Sequence, residues 1–180
     1  MYDFHYQQIL PRYGVNKARL LFTDTDSLMY HVTTPDVYAD MLTDQDKYDT
    51  SDYSPEHPLH SNANMKVIGK FKDEAAGKPI REFIGLRPKM YSYILDNGKE
   101  HKTAKGVKKS VKEREIKHED FKHCLFNKAP QQHSMLSFRS DCHQVYTEKL
   151  TKTSLSPYDD KRYLLDDGIH SLSYGHYKIQ

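Results

Sequence analysis

The stretch LLFTDTDSLMY, residues 20–30, sets Asp24 and Asp26 between two apolar, strand-prone segments. Residues 20–23 and 27–32 read as strands, so Asp24-Thr25-Asp26 reads as the tip of a tight hairpin. Two carboxylates one residue apart repel each other, and a divalent cation would offset that repulsion. Mg²⁺ is the natural choice, being a hard ion that prefers oxygen ligands and keeps some of its waters. The spacing alone carries little information, because Asp44-Gln45-Asp46 repeats it in a polar stretch that reads as solvated surface. The strands on either side single out the first pair by fixing its side chains. The competing reading is an acidic hairpin tip that faces only solvent.

Outward from the hairpin, the pattern predicts an α+β protein. Residues 2–10 read as a short helix with Phe4, Ile9 and Tyr6 inward, ended by Pro11, which disfavours helical geometry just before it. Residues 33–64 are polar, acidic and punctuated by proline; Thr34 reads as the cap of a short helix, and 48–64 as loop. KVIGKFKDE (66–74) and IREFIGLRPKMYSYIL (80–95) have strand composition and are joined through Gly77-Lys78-Pro79. Asp96-Asn97-Gly98 is a hairpin turn, with 99–106 as the returning strand. Residues 110–126 predict a helix, with His118-Glu119-Asp120 opening a second one. Residues 127–134 read as loop and 137–155 as strand, with turn chemistry at Ser156-Pro157 and Asp167-Gly168.

Charge divides the chain. Residues 1–60 hold ten acids and four Lys/Arg, a net of −6, while 61–180 hold 23 Lys/Arg and 15 acids, a net of +8. An acidic half followed by a basic half suits a protein that holds cations at one place and polyanions at another. The densest basic run is Lys102, Lys105, Lys108, Lys109, Lys112, Arg114 and Lys117, interrupted by Glu113 and Glu115, with Gly106 allowing close approach to its backbone. A run of this kind is either a solvated face or a polyanion track. No apolar run approaches the ~18 residues of a membrane span. The two cysteines, Cys124 and Cys142, make no disulfide framework and fit a reducing, intracellular setting. With His118, His123, His133 and His143 they match no compact zinc pattern. Fourteen tyrosines and no tryptophan leave much aromatic surface with a hydroxyl able to face water or a polar ligand.

Several chemistries use Asp-x-Asp after an apolar strand. Haloacid-dehalogenase-like phosphatases require Thr or Val at the fifth position, which is Leu28 here, and a helix where this chain has a second strand. Metal-dependent nucleotide-sugar glycosyltransferases stay open on the hairpin alone.

The rest of the chain favours nucleic acid. FTDTDS (22–27) resembles the third polymerase motif of family B DNA polymerases, Tyr-x-Asp-Thr-Asp-Ser, with Phe22 in place of the usual Tyr. Lys89-Met90-Tyr91, inside GLRPKMYSY, is similar to the family's Lys-x-Tyr element. KTAKGVKKSV with HEDF resembles the segment leading from palm to thumb in the protein-primed branch. Together with KFKDE, SPYDDKRY and YGHYKI, these stretches are similar to polymerases of viruses and of large self-synthesising, Polinton/Maverick-like transposons, over nearly the whole chain.

The resemblance implies that residues 1–100 are the C-terminal part of a palm: an acidic metal-binding hairpin at 20–32, an acidic insertion loop at about 33–64 and a primer-contacting strand at 83–95. Residues 101–180 would be a thumb-like basic region and tail. Asp26 would be a principal carboxylate for Mg²⁺ or Mn²⁺ and Asp24 its partner, with Thr25 and Ser27 shaping the turn. Lys89 and Tyr91 would hold the primer strand near its 3′ end, by backbone contacts that fix register without reading sequence. Lys105, Lys108 and Lys109 would track duplex with a strongly salt-dependent affinity. The implied partners are primer-template DNA, dNTP and a priming terminal protein, and the implied location of a host-encoded product is the nucleus.

The family's first motif, Asp-x-x-Ser-Leu-Tyr-Pro, is absent from these 180 residues. So are its second, Lys-x-x-x-Asn-Ser-x-Tyr-Gly, and the Asp-x-Glu of its exonuclease. The expectation is therefore a C-terminal polymerase segment with no activity alone. The alternative is a transposon-derived remnant that at most binds DNA.

Overall fold

The computed structural model describes residues 1–158, 162–173 and 175–179. Asp159, Asp160 and Lys161 of SPYDDKRY and Tyr174 of YGHYKI lie outside them. The protein is α+β and divides into two compact units: Met1–Glu82 with Ile94–Lys99, and Phe83–Tyr93 with Glu100–Gln180. Among the described residues no helix is long and apolar enough to cross a membrane.

The first unit opens with a helix wound as π over Phe4–Ile9 and tightened to an α-turn, α1, at Leu10–Tyr13. Pro11 does not end it. The proline stands in the first turn of the α segment, where its missing N–H costs little, and the stop falls at Gly14, whose φ of 70° no branched residue would favour. Ile9 is buried as expected, while Tyr6 is exposed and lies against the Tyr2 and His5 rings. Strands β1 (Ala18–Asp24) and β2 (Ser27–Val32) form the expected antiparallel hairpin, with Asp24 opposite Ser27 and a register shift between Leu20 and Phe22. His5 Nδ1 stands 2.8 Å from the Tyr30 hydroxyl and ties the opening helix to β2.

Helix α2 (Val37–Thr43) is capped by Asp36, not by Thr34. The Asp36 carboxylate accepts from the Tyr38 and Ala39 amides, which a carboxylate one residue before the helix reaches more directly than Thr34 can. The Thr34 hydroxyl donates instead to Asp40 at 2.7 Å. Asp44 is not a free surface carboxylate either. It pairs with Arg12 and, at 3.0 Å, with Lys47, and the Lys47 hydrogen bond is the chief reason its carboxyl sits below the usual range.

Residues 48–64 are more than loop. Short strands β3 (Tyr48–Asp49) and β4 (Phe71–Lys72) pair in parallel, and Tyr53 and Leu59 are buried at 3% and 2% exposure. Of KVIGKFKDE only Phe71–Lys72 is strand, held where the Phe71 ring stacks 4.0 Å from Phe4, while Ile68 is fully exposed. Side-chain bonds to backbone replace a ladder. The Thr50 hydroxyl donates to the Leu59 carbonyl at 2.6 Å, and the Asn64 amide donates to the carbonyls of Gln45, Asp46 and Tyr48.

Buried Asp49 belongs to the same scaffold, accepting from the Ser51 and Lys66 amides. Bonds from Ser51, then Lys66 and the Lys72 charge, hold its carboxyl below the ordinary aspartate value. A carboxyl with a depressed folded pKa stabilises the fold above its unfolded value and loses that contribution as pH falls through the folded one. Thermal melts from pH 6 down to 2.5 should therefore show stability falling once pH drops below about 4, with a shallower fall in Asp49→Asn, whose starting stability is lower. Equal slopes would refute the role of Asp49.

Residues 80–95, of which 83–93 belong to the second unit, are two strands, not one. Strand β5 (Ile80–Arg87) ends at a two-residue turn, Pro88-Lys89, and β6 (Met90–Leu95) returns antiparallel, the only pairing so short a link allows. Proline followed by Lys89 at φ 60° is the arrangement of a type II turn. Strand β7 (Glu100–Ala104) joins β6 through the expected Asp96-Asn97-Gly98 turn, and the sheet order is β5-β6-β7.

Two helices follow, as predicted: α3 (Lys109–Arg114) and α4 (His118–Phe126), the latter opened by the Lys117 amide donating to the Asp120 carboxylate. Ile84, Met90, Ala104, Ile116, Phe121, Cys124 and Leu155 form this unit's core. Strand β8 (Gln131–Asp141) starts inside the stretch predicted as loop, and β9 (Gln144–Leu155) returns through Cys142-His143. Both turn residues have positive φ, 45° and 64°, as a twisted two-residue hairpin demands. The last elements, β10 (Arg162–Leu164) and β11 (Ser171–Ser173), pair around the Asp167-Gly168 turn.

Candidate functional site

The hairpin of the first unit carries the acidic pair. Asp24 is the last residue of β1 and half-buried, whereas Asp26 lies in the turn and is exposed. Thr25 adopts φ 56° and donates from its hydroxyl to Asp24 Oδ1 at 3.2 Å, and the Ser27 hydroxyl donates to the Asp24 carbonyl at 3.0 Å. Both hydroxyl residues thus bear on the turn and on how Asp24 is held.

Positive φ at the first central position only is the pattern of a type II′ turn, which normally takes glycine there. A β-branched residue in that conformation is strained by about 1–2 kcal/mol. Thr25→Gly should relieve more than the roughly 0.5–1 kcal/mol that glycine's added freedom costs. The expected outcome is a melting temperature equal to or a few degrees above that of the parent, and a fall would show that the Thr25 hydroxyl outweighs the strain.

The donor chemistry of Asp24 and Asp26, two hard carboxylates on one turn, fits Mg²⁺ or Mn²⁺. Among the described residues no group of three or more His, Cys, Asp or Glu side chains gathers at a metal-holding distance.

The second unit holds the other candidates. Lys89 is exposed at the β5–β6 turn, and its carbonyl accepts from the Lys105 amide at 3.0 Å, which brings two basic residues 16 positions apart side by side. Tyr91 lies on β6, half-buried, with its ring 6.2 Å from that of Phe83. Lys108 stands at the start of α3, and its ammonium sits 5.5 Å from the centre of the Phe138 ring. Lys109 is exposed and pairs loosely with Glu113 at 3.9 Å, as neighbours on one helical face do. Lys102 does not share this exposure. Its ammonium donates to the Ile116 carbonyl at 2.6 Å and lies 3.6 Å from Glu100, so it ties β7 to the chain between the helices.

Sequence reasoning missed the contribution of the β8–β9 ribbon. A groove of about 290 Å³ runs between the start of α3 and the ribbon, with Lys108 and Ser110 on one side and Ser134, Leu136 and Lys149 on the other. At Gly106, where φ is 87°, an added methyl would stand 3.9 Å from the Lys152 ammonium. Lys149 thereby adds a cation beside Lys108, and Lys152 one beside the backbone at Gly106. No run marks them in sequence, because strand alternation scatters them among Glu148, Leu150 and Thr151. The register sets Lys149 opposite Leu136 and Lys152 opposite His133, on alternate faces of the ribbon.

No protein-family model, no curated protein and no solved structure matches this chain.

Proposed function

We propose that the chain is the C-terminal palm and thumb segment of a family B DNA polymerase of the protein-primed, transposon or viral type, acting in nucleotidyl transfer during DNA replication. The observation that carries the reading is the acidic pair Asp24 and Asp26 at the tip of an antiparallel hairpin, in a turn fixed by Thr25 and Ser27. These two residues would hold Mg²⁺ or Mn²⁺. When bound, such ions neutralise phosphate charge and clamp the attacking and leaving oxygens of an in-line displacement.

What the chain itself supplies is positioning. The Thr25 hydroxyl bonds Asp24 Oδ1, and the hairpin sets both aspartates on one turn. Lys89 and Lys105 offer cationic side chains from adjoining backbones, suited to phosphates of a primer strand in the full enzyme with its dNTP. A host-encoded enzyme of this kind would work in the nucleus.

Sequence upstream of codon 1 tests this. An open frame encoding Asp-x-x-Ser-Leu-Tyr-Pro and Lys-x-x-x-Asn-Ser-x-Tyr-Gly supports the polymerase, and in that longer protein Asp26→Asn should lower primer extension about 10³-fold or more, the worth of several kcal/mol of charge stabilisation. The 180 residues alone should extend no primer. A stop codon or unrelated exon upstream would overturn the enzymatic reading. The basic surface of the second unit, which needs no metal, then favours the other reading, a remnant that binds DNA.

A further inference from the structure

We infer that the exposed face of the β8–β9 ribbon is a stacking platform for single-stranded DNA, with Phe138 taking a base and Lys108 and Lys149 taking the flanking phosphates. The inference rests on reading the second unit as a nucleic-acid surface and names the form of DNA it takes. Phe138 is 73% exposed on a strand whose proximal Met135 is buried, so a large apolar ring stands in water on an anchored ribbon. Its partner across the ribbon is Thr147, too small to cover it. Leu136, two residues along the same face, is 55% exposed and leads from the ring into the groove beside Lys149.

Charge and shape select the ligand. Lys108 sits over the ring, 5.5 Å from its centre, and Lys149 lines the adjoining groove, so cations accompany an aromatic surface, the combination that binds unpaired strands through backbone charge and base stacking. A duplex keeps its bases stacked on one another and offers an exposed ring nothing to stack on. The groove, about 290 Å³, has the volume of a small-molecule site, which suits one or two nucleotides. Glu115 also lines it and repels phosphate, which directs the backbone along the Lys108 and Lys149 side.

The probes are a fluorescein-labelled dT₁₂ strand and a duplex of the same length, titrated with the full chain. The expected result is that Phe138→Ala weakens dT₁₂ binding about tenfold, the loss of one base–aromatic stack, and leaves the duplex affinity unchanged. Because the chain has no tryptophan, Phe138→Trp adds a single reporter at the platform. It should keep dT₁₂ affinity and show fluorescence quenched by dT₁₂ but not by duplex. Unchanged dT₁₂ binding in Phe138→Ala, with Lys108→Ala still weakening it, would overturn the platform and leave the nucleic-acid surface standing. Equal losses on both probes would make Phe138 a duplex contact and overturn it as well. If neither DNA binds the parent chain, the nucleic-acid surface and the platform fall together.

Discussion

Phe121→Ala should destabilise the second unit by about 3–5 kcal/mol, the range for removing a fully buried aromatic from a close-packed core. Phe121 has no exposed surface and packs with Ile84, Met90, Ile116, Cys124 and Leu155, which come from β5, β6, the link before α4, α4 itself and the end of β9. One side chain thus joins elements from across the unit, and no single neighbour can move in to fill the space. Small domains hold about 5–15 kcal/mol in total, so the loss is a large share of what keeps the unit folded. Urea unfolding followed by far-UV circular dichroism would measure it as a lowered midpoint. Phe126→Ala is the matched control: it lies on the same helix, is 70% exposed, and should change stability by no more than about 0.5 kcal/mol. Similar losses in the two variants would mean that the core is not where the buried surface places it.

The elements read correctly from sequence are those whose signals are local. The β1–β2 hairpin follows from apolar, strand-prone segments on both sides of Asp24-Thr25-Asp26, and the β6–β7 turn from Asn97-Gly98, whose glycine has φ 79°. The start of α4 as a second helix follows from the acidic Glu119-Asp120 in its first turn. What failed depends on partners distant in sequence. Of the strand expected at 66–74 only Phe71–Lys72 forms, where Phe4 stacks on Phe71, and Asp44 is paired because Arg12 and Lys47 reach it. Residues 48–64 look like loop because Tyr53 and Leu59 are its only deeply buried large side chains, and turn hydrogen bonds do the rest. The same limit applied to the sites. The acidic pair was legible because both members sit within three residues. Lys89 and Lys105, or Lys108 and Phe138, meet only after the sheet and ribbon have formed. Lys102 shows the converse, a member of a basic run that folding turns to a structural use.

The largest expected change in DNA affinity follows from that assembled surface. Replacing Lys105, Lys108 and Lys109 together by alanine should weaken duplex binding roughly ten- to a hundredfold at low salt, at about 0.5–1 kcal/mol for each exposed cation. All three are exposed, and Lys109 is only loosely engaged by Glu113. Helix α3 opens at Lys108 without a side-chain cap bond, so alanine there removes no capping contact and the unit should stay folded. The decisive reading is the salt dependence. Each neutralised phosphate contributes about 0.9 to the slope of log affinity against log salt, so losing three contacts should flatten it by about 2.7. A loss of affinity with an unchanged slope would mean a damaged shape, not missing phosphate contacts. Asp24→Asn with Asp26→Asn separates the two sites from the opposite side. If the acidic turn serves metal and chemistry alone, duplex affinity and slope in that variant should match the parent, whereas a tighter complex would mean that the carboxylates repel the DNA that the lysines attract.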